Sequence, residues 1–115
     1  MSKTRYLIAL AAGALMFSVG TVHAAGDKEA GKAKVKAVCA ACHGMDGNGK
    51  TETDARLAGQ YADYIVKALE AYSDGTRKNP IMMGMATTLT AEDRVNVAAY
   101  FAAMEGGVVT VQSYK

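Results

Sequence analysis

The chain has 115 residues and a formal net charge of +2; half of its residues are hydrophobic but only 7% are aromatic, with no Trp and one Pro. That length suits one domain, and the low Pro content and modest charge exclude a collagen-like or disordered chain. A chain this small buries a limited share of its surface, and it has few large side chains with which to build a core.

Residues 1–24 read as a secretory signal peptide. Lys3 and Arg5 precede an apolar run from Leu7 to Val19, and a small-residue stretch from Gly20 to Ala25 follows. This is the charged, apolar and cleavage-region order of such a leader. Val22 and Ala24 suit the positions three and one before the cut, so cleavage is expected between Ala24 and Ala25. An apolar run of about 13 residues is short for a membrane span, which needs roughly 20. The mature protein is then a single domain, 25–115, exported to the periplasm, with no stable membrane span.

Cleavage removes Lys3 and Arg5 and no acid, so the 13 basic residues fall to 11 against 11 acidic ones. A balance of zero gives no support to nucleic-acid binding, which wants a basic patch. His23 leaves as well, and His43 becomes the one histidine of the mature chain.

Three helices are expected in the mature chain. The first runs from about Lys28 to Ala40, with Asp27 as N-cap and Glu29 in the first turn, where negative charge suits the helix dipole. Lys28, Lys32 and Lys36 recur every four residues and form a solvated face. In the second helix, Tyr61, Tyr64, Ile65, Ala68, Leu69 and Tyr72 make one apolar stripe, with Gly75 as the stop. The third starts at Thr90, with Asp93 placed for a capping box, carries Val97, Tyr100, Phe101 and Met104 as its bulky stripe, and ends at Gly106 and Gly107. Stretches 44–60 and 76–89 read as irregular, and 109–115 as a tail. No strand pairing is evident, so the fold is read as all-α.

Cys39-Ala40-Ala41-Cys42-His43 is a Cys-x-x-Cys-His motif, the attachment signature of haem c. Two thiols three positions apart can each form a thioether to one of two haem vinyl groups, and the adjacent histidine then reaches the iron. Ala40 and Ala41 let the backbone lie close to the ring. A thioredoxin-type pair follows a strand and opens a helix, whereas this pair ends one. A zinc site wants four ligands, and the mature chain has no other Cys or His.

With His43 on one side of the iron and no second histidine, methionine is the remaining usual axial ligand. Met45 is too near the attachment point to reach the opposite face, and Met104 belongs to an apolar stripe. Met82, Met83 and Met85 remain.

The chain resembles class I c-type cytochromes, and more narrowly small monohaem bacterial cytochromes and single domains of the dihaem cytochrome c4 type. Besides the haem motif and the Gly44-Met45-Asp46-Gly47-Asn48 that follows it, the resemblance rests on Leu57-Ala58-Gly59-Gln60, on Asn79 to Met85 and on Ala98-Ala99-Tyr100-Phe101. It implies the class I cytochrome c fold, helices and loops wrapped around one covalently bound haem c. It implies Met82 as the sixth iron ligand, with Met85 the runner-up and Met83 third. It also implies that the first and third helices cross with Gly31 and Val35 against Tyr100.

Two departures stand out. Relatives carry prolines in the loop after the haem motif, and a proline carbonyl there often accepts the histidine Nδ1–H. This loop, 49–56, has no Pro, so a backbone carbonyl near Lys50 is expected to serve. There is also no second haem motif, so the chain is not a complete dihaem protein.

Arg56, Arg77 and Lys78 are candidate partners for the haem propionates, alongside tyrosine hydroxyls. The expected role is not catalytic. It is that of a monomeric electron carrier exchanging single electrons with redox proteins such as a membrane donor complex, a terminal oxidase or a periplasmic reductase. The alternative is a haem subunit bound permanently to a periplasmic redox enzyme.

Overall fold

The computed structural model describes residues 25–105. The expected leader, 1–24, and tail, 109–115, lie outside the described residues, as does the Gly106-Gly107 pair. Among the described residues every regular element is helical: α1 Lys28–Lys34, a π-helical turn Val35–Cys39, α2 Ala40–His43, α3 Ala62–Ser73, α4 Pro80–Thr87 and α5 Ala91–Ala102.

Asp27 caps α1 as expected, its side chain accepting from the Glu29 and Ala30 N–H groups. The helical path then runs three residues past the expected end, through the π turn and α2, and stops at Gly44, where φ is +76°. Gly31, Val35, Cys39 and His43 are spaced by four. In an ideal α-helix such a row drifts about 40° per step, and the wider π turn takes back part of that drift.

The crossing of α1 and α5 fixes the architecture. Gly31 is buried against α5, where a methyl group would collide with the Asn96 carbonyl and crowd the Tyr100 Cβ. Asn96 is itself buried, and its Oδ1 accepts from the Asp27 N–H at 2.7 Å, so the start of α1 is pinned to the middle of α5. Thr90 and Asp93 form the expected capping box at the head of α5. α5 ends at Ala102, before the glycine pair named as its stop.

α3 packs on α5 and on α4. Its apolar stripe is buried at Ile65 and Leu69, while Tyr61 and Tyr64 of the same stripe are 65% and 49% exposed. The stretch 76–89, read as irregular, contains α4. Asn79 caps this helix through its side chain, and Pro80 takes the first turn. Proline lacks only an N–H that the first turn leaves unpaired anyway, so it starts this helix rather than breaking it.

The core is small. Among its side chains, Phe101 and Val35 are the largest fully buried, joined by Ile65, Leu69, Leu89 and Val97. Met104 packs against this cluster, as its place in the α5 stripe implied.

Candidate functional site

Cys39 closes the π turn, and Cys42 and His43 lie on α2. Both thiols are unpaired. Burial pushes the Cys39 thiol up to about 11, against a smaller opposing pull from the Lys34 ammonium.

The loop after Gly44 folds back on the end of α2. Gly49 N–H donates to the His43 carbonyl and Lys50 N–H to the Cys42 carbonyl, each at 2.9 Å, satisfying carbonyls a helix end leaves open. A tight turn follows, held by Asp54, whose Oδ2 accepts from the Thr51 N–H and hydroxyl. The chain then presents the Ala55 carbonyl to His43 Nδ1 at 2.8 Å.

The acceptor is therefore Ala55 and not a carbonyl near Lys50. Lys50 instead turns its N–H to the α2 end. With its Nδ1–H donated to a carbonyl, the imidazole keeps Nε2 free as a ligand atom. The loop is anchored further along by Leu57 and Ala58 N–H groups on the Gly47 carbonyl, and by Gly59 N–H on the Phe101 carbonyl.

A cavity of about 470 Å³ opens beside these residues. Cys39, Cys42 and His43 line it from the first helical path, Leu69 and Tyr72 from α3, and Met82 and Met85 from α4. An adjoining hollow of about 180 Å³ shares Cys39, His43, Leu69 and Met82, and adds Arg56, Gln60 and Tyr64. The larger space falls within the roughly 300–1,000 Å³ usual for cofactor-sized ligands.

The three methionines of α4 are not equivalent. Met82 lines both spaces and packs against the core. Met85 lines only the larger and is 44% exposed. Met83 lines neither. The helix is what separates them, since neighbouring residues on a helix point about 100° apart.

Of the three candidate propionate partners, Arg77 lines both spaces, Arg56 lines the smaller and Lys78 lines neither. The Arg77 guanidinium lies 4.7 Å from the Tyr72 ring centroid, and its Nη1 donates to the Tyr64 hydroxyl at 3.4 Å. Arg56 donates to Asn48 Oδ1, also at 3.4 Å.

The residues fit a covalently held haem. Two thiols on one helical path, an imidazole with its Nε2 free and a thioether from a separate helix line one largely apolar space. Two guanidinium groups stand at its side. Among the described residues no cluster of three or more His, Cys, Asp or Glu could hold a bare metal ion. No described helix is long and apolar enough to cross a membrane.

Comparison with known proteins agrees with this geometry. The family model described as Cytochrome c matches residues 28–105. Cytochrome c4 of Pseudomonas aeruginosa is 45% identical over 89 residues, which cover 77% of this chain and 44% of that protein. Cytochrome c-554(548) of Halomonas halodenitrificans is 42% identical over 84 residues, 70% of this chain and the whole of that protein. The crystal structure of reduced recombinant cytochrome c4 from Pseudomonas stutzeri superposes with a TM-score of 0.66 at 42% identity, over 73% of this chain and 48% of that one. The chain thus spans about half the length of the cytochrome c4 relatives it matches.

Proposed function

The chain belongs to the cytochrome c family and carries one covalently bound haem c, and from that premise we propose that it is a periplasmic one-electron carrier whose iron is held by His43 and Met82. The observation that carries this reading is the meeting of Cys39, Cys42, His43 and Met82, drawn from two separate helical segments, around one cavity.

Haem c supplies an iron that alternates between Fe(II) and Fe(III). The protein's own residues do the rest. Cys39 and Cys42 hold the porphyrin by thioethers. Ala55 fixes the ring orientation of His43 through Nδ1. Leu69 and Leu89 wall the cavity with apolar surface, which together with a Met82 thioether on the iron would favour the reduced state. Arg77, with Tyr64, and Arg56 balance the propionate charge. His43 and Met82 would together hold the iron with no ligand site left for a substrate, which supports a role in electron transfer.

The partners are redox proteins that dock briefly over a small area, as electron-transfer complexes do. A membrane donor complex and a terminal oxidase or periplasmic reductase fit that role. The signal peptide read in residues 1–24 supports the periplasmic location.

The test is optical. The oxidised protein should show a methionine-to-iron charge-transfer band, and the reduced protein should not respond to added CO. Met82→Ala should abolish the band, while Met83→Ala and Met85→Ala keep it. A CO-binding reduced protein would instead indicate an open sixth position and a sensor or catalytic role. Loss of the band only in Met85→Ala would transfer the ligand to that residue.

A further inference from the structure

Arg94 lies on α5, four residues past the Thr90 cap, and takes no part in the haem cavity. Its guanidinium is nonetheless drawn inward. Nη2 donates to the Ser73 hydroxyl at 2.9 Å and reaches the Ala86 carbonyl at 3.5 Å. Its Nε–H is buried with no acceptor among the described residues. A half-buried guanidinium whose buried Nε–H has no acceptor is a costly feature.

The two acceptors say what this position joins. Ser73 is the last residue of α3, and Ala86 lies one turn beyond Met82 on α4. The end of α4 leaves carbonyls open, and three of them are met from outside the helix ladder. Thr87 Oγ1 donates to the Gly84 carbonyl and Thr88 Oγ1 to the Met85 carbonyl. The Ala86 carbonyl receives Leu89 N–H and the Arg94 guanidinium. Of these donors only Arg94 comes from another helix. A cation at a helix C-terminus also complements the dipole, which adds to a bond that is long by distance alone.

We propose that Arg94 is a positioning residue that clamps the C-terminal end of α4 to α3 and α5, and so sets how readily Met82 leaves the iron. The proposal rests on the Met82 assignment above. Detaching Met82 requires α4 to lift from its neighbours, and that motion breaks the Arg94 contacts. Without them the open form is more populated. An exogenous ligand that competes for the sixth position then binds with an apparent affinity raised in proportion to that population.

The experiment titrates the oxidised, haem-loaded protein with imidazole and follows the methionine-to-iron band, with the thermal midpoint measured in parallel. Arg94→Gln should raise the apparent imidazole affinity about ten-fold, the scale expected for losing hydrogen bonds to a charged group. Ser73→Ala removes one acceptor and should move affinity the same way by a smaller factor. It also keeps the test open if Arg94→Gln folds poorly. Thr90→Ala is the control: it removes the α5 cap, whose hydroxyl accepts from the Asp93 N–H and bonds no α4 group, and should lower the thermal midpoint by several degrees while leaving imidazole affinity unchanged.

Unchanged imidazole affinity in both Arg94→Gln and Ser73→Ala overturns the proposal. So does an equal rise in Thr90→Ala, which would reduce the effect to general destabilisation. A wild-type protein with no methionine band overturns the Met82 assignment first, and the clamp with it; a normal wild-type band with unaltered variants overturns the clamp alone.

Discussion

His43 Nδ1 and the Ala55 carbonyl lie 2.8 Å apart, twelve residues apart in sequence and joined by a loop without proline. The carbonyl is held in place by a polar turn and not by ring stiffness. Asp54 organises it by accepting from the Thr51 N–H and hydroxyl.

A strong Nδ1–H bond makes the imidazole more electron-donating and favours Fe(III). Asp54→Ala should loosen the turn, weaken that bond and raise the reduction potential. The expected rise is on the order of 20 mV, about 0.5 kcal/mol at 59 mV per ten-fold for one electron. Voltammetry of the two proteins checks it, and an unchanged or lowered potential would show that the turn does not tune the ligand.

Gly31 and Gly84 make opposite predictions for the same substitution. Gly31→Ala drives a methyl onto the Asn96 backbone at the α1–α5 crossing, and two helix backbones must separate to admit it. The expected loss is about 3 kcal/mol, the upper end for overpacking. Gly84 sits inside α4, and a methyl group there would have no neighbour within 4 Å. Gly84→Ala should stabilise by about 0.5–1 kcal/mol through helix propensity. Denaturant melts of both variants measure the pair.

Stability should fall in acid. Asp46 is held below its ordinary 3.8 chiefly by the Asn48 side chain, Asp74 by the Thr76 hydroxyl, and Asp93 by the Thr90 N–H. As pH drops, the unfolded chain takes up these protons before the folded one. The stability these carboxylates confer is therefore fully present above 3.8 and lost as pH falls through the lower folded values. The thermal midpoint should be flat from neutrality to about pH 5 and decline below about 4. Asp74→Asn should show a shallower decline, which a pH series of melts would detect.

Without haem the fold should not hold. Leu69, Leu89, Ile65 and Val97 each border one or both cavities, so much of the small apolar core faces the space the porphyrin fills. A Cys39→Ala/Cys42→Ala chain that retains no haem should lack a cooperative thermal transition and most of its helical circular dichroism. A sharp melt in that variant would show that the side chains alone make a sufficient core.

Local chemistry is legible from the residues alone. Cys39, Cys42 and His43 lie within five positions, and their spacing defines attachment. Asp27 and the Thr90–Asp93 pair are caps whose partners lie within three residues. The Gly31 crossing follows from resemblance, and the structure identifies the Asn96 backbone as the surface that requires it.

Features encoded within a few residues can be read without a fold: the haem motif, the helix starts and the shortage of bulk that a covalent cofactor resolves. Features that depend on chain closure cannot. α4 escapes a reading of apolar periodicity because its methionine run has little contrast between faces; Asn79 and Pro80 are the signal for it. The resemblance ranks Met82 ahead of Met83, and the helix gives the physical ground, since Met82 borders both cavities and Met83 neither. The Ala55 acceptor and the Arg94 contacts likewise have no local signature. Backbone carbonyls are alike in every residue, and which one a side chain meets depends on how the loop and helices close in space.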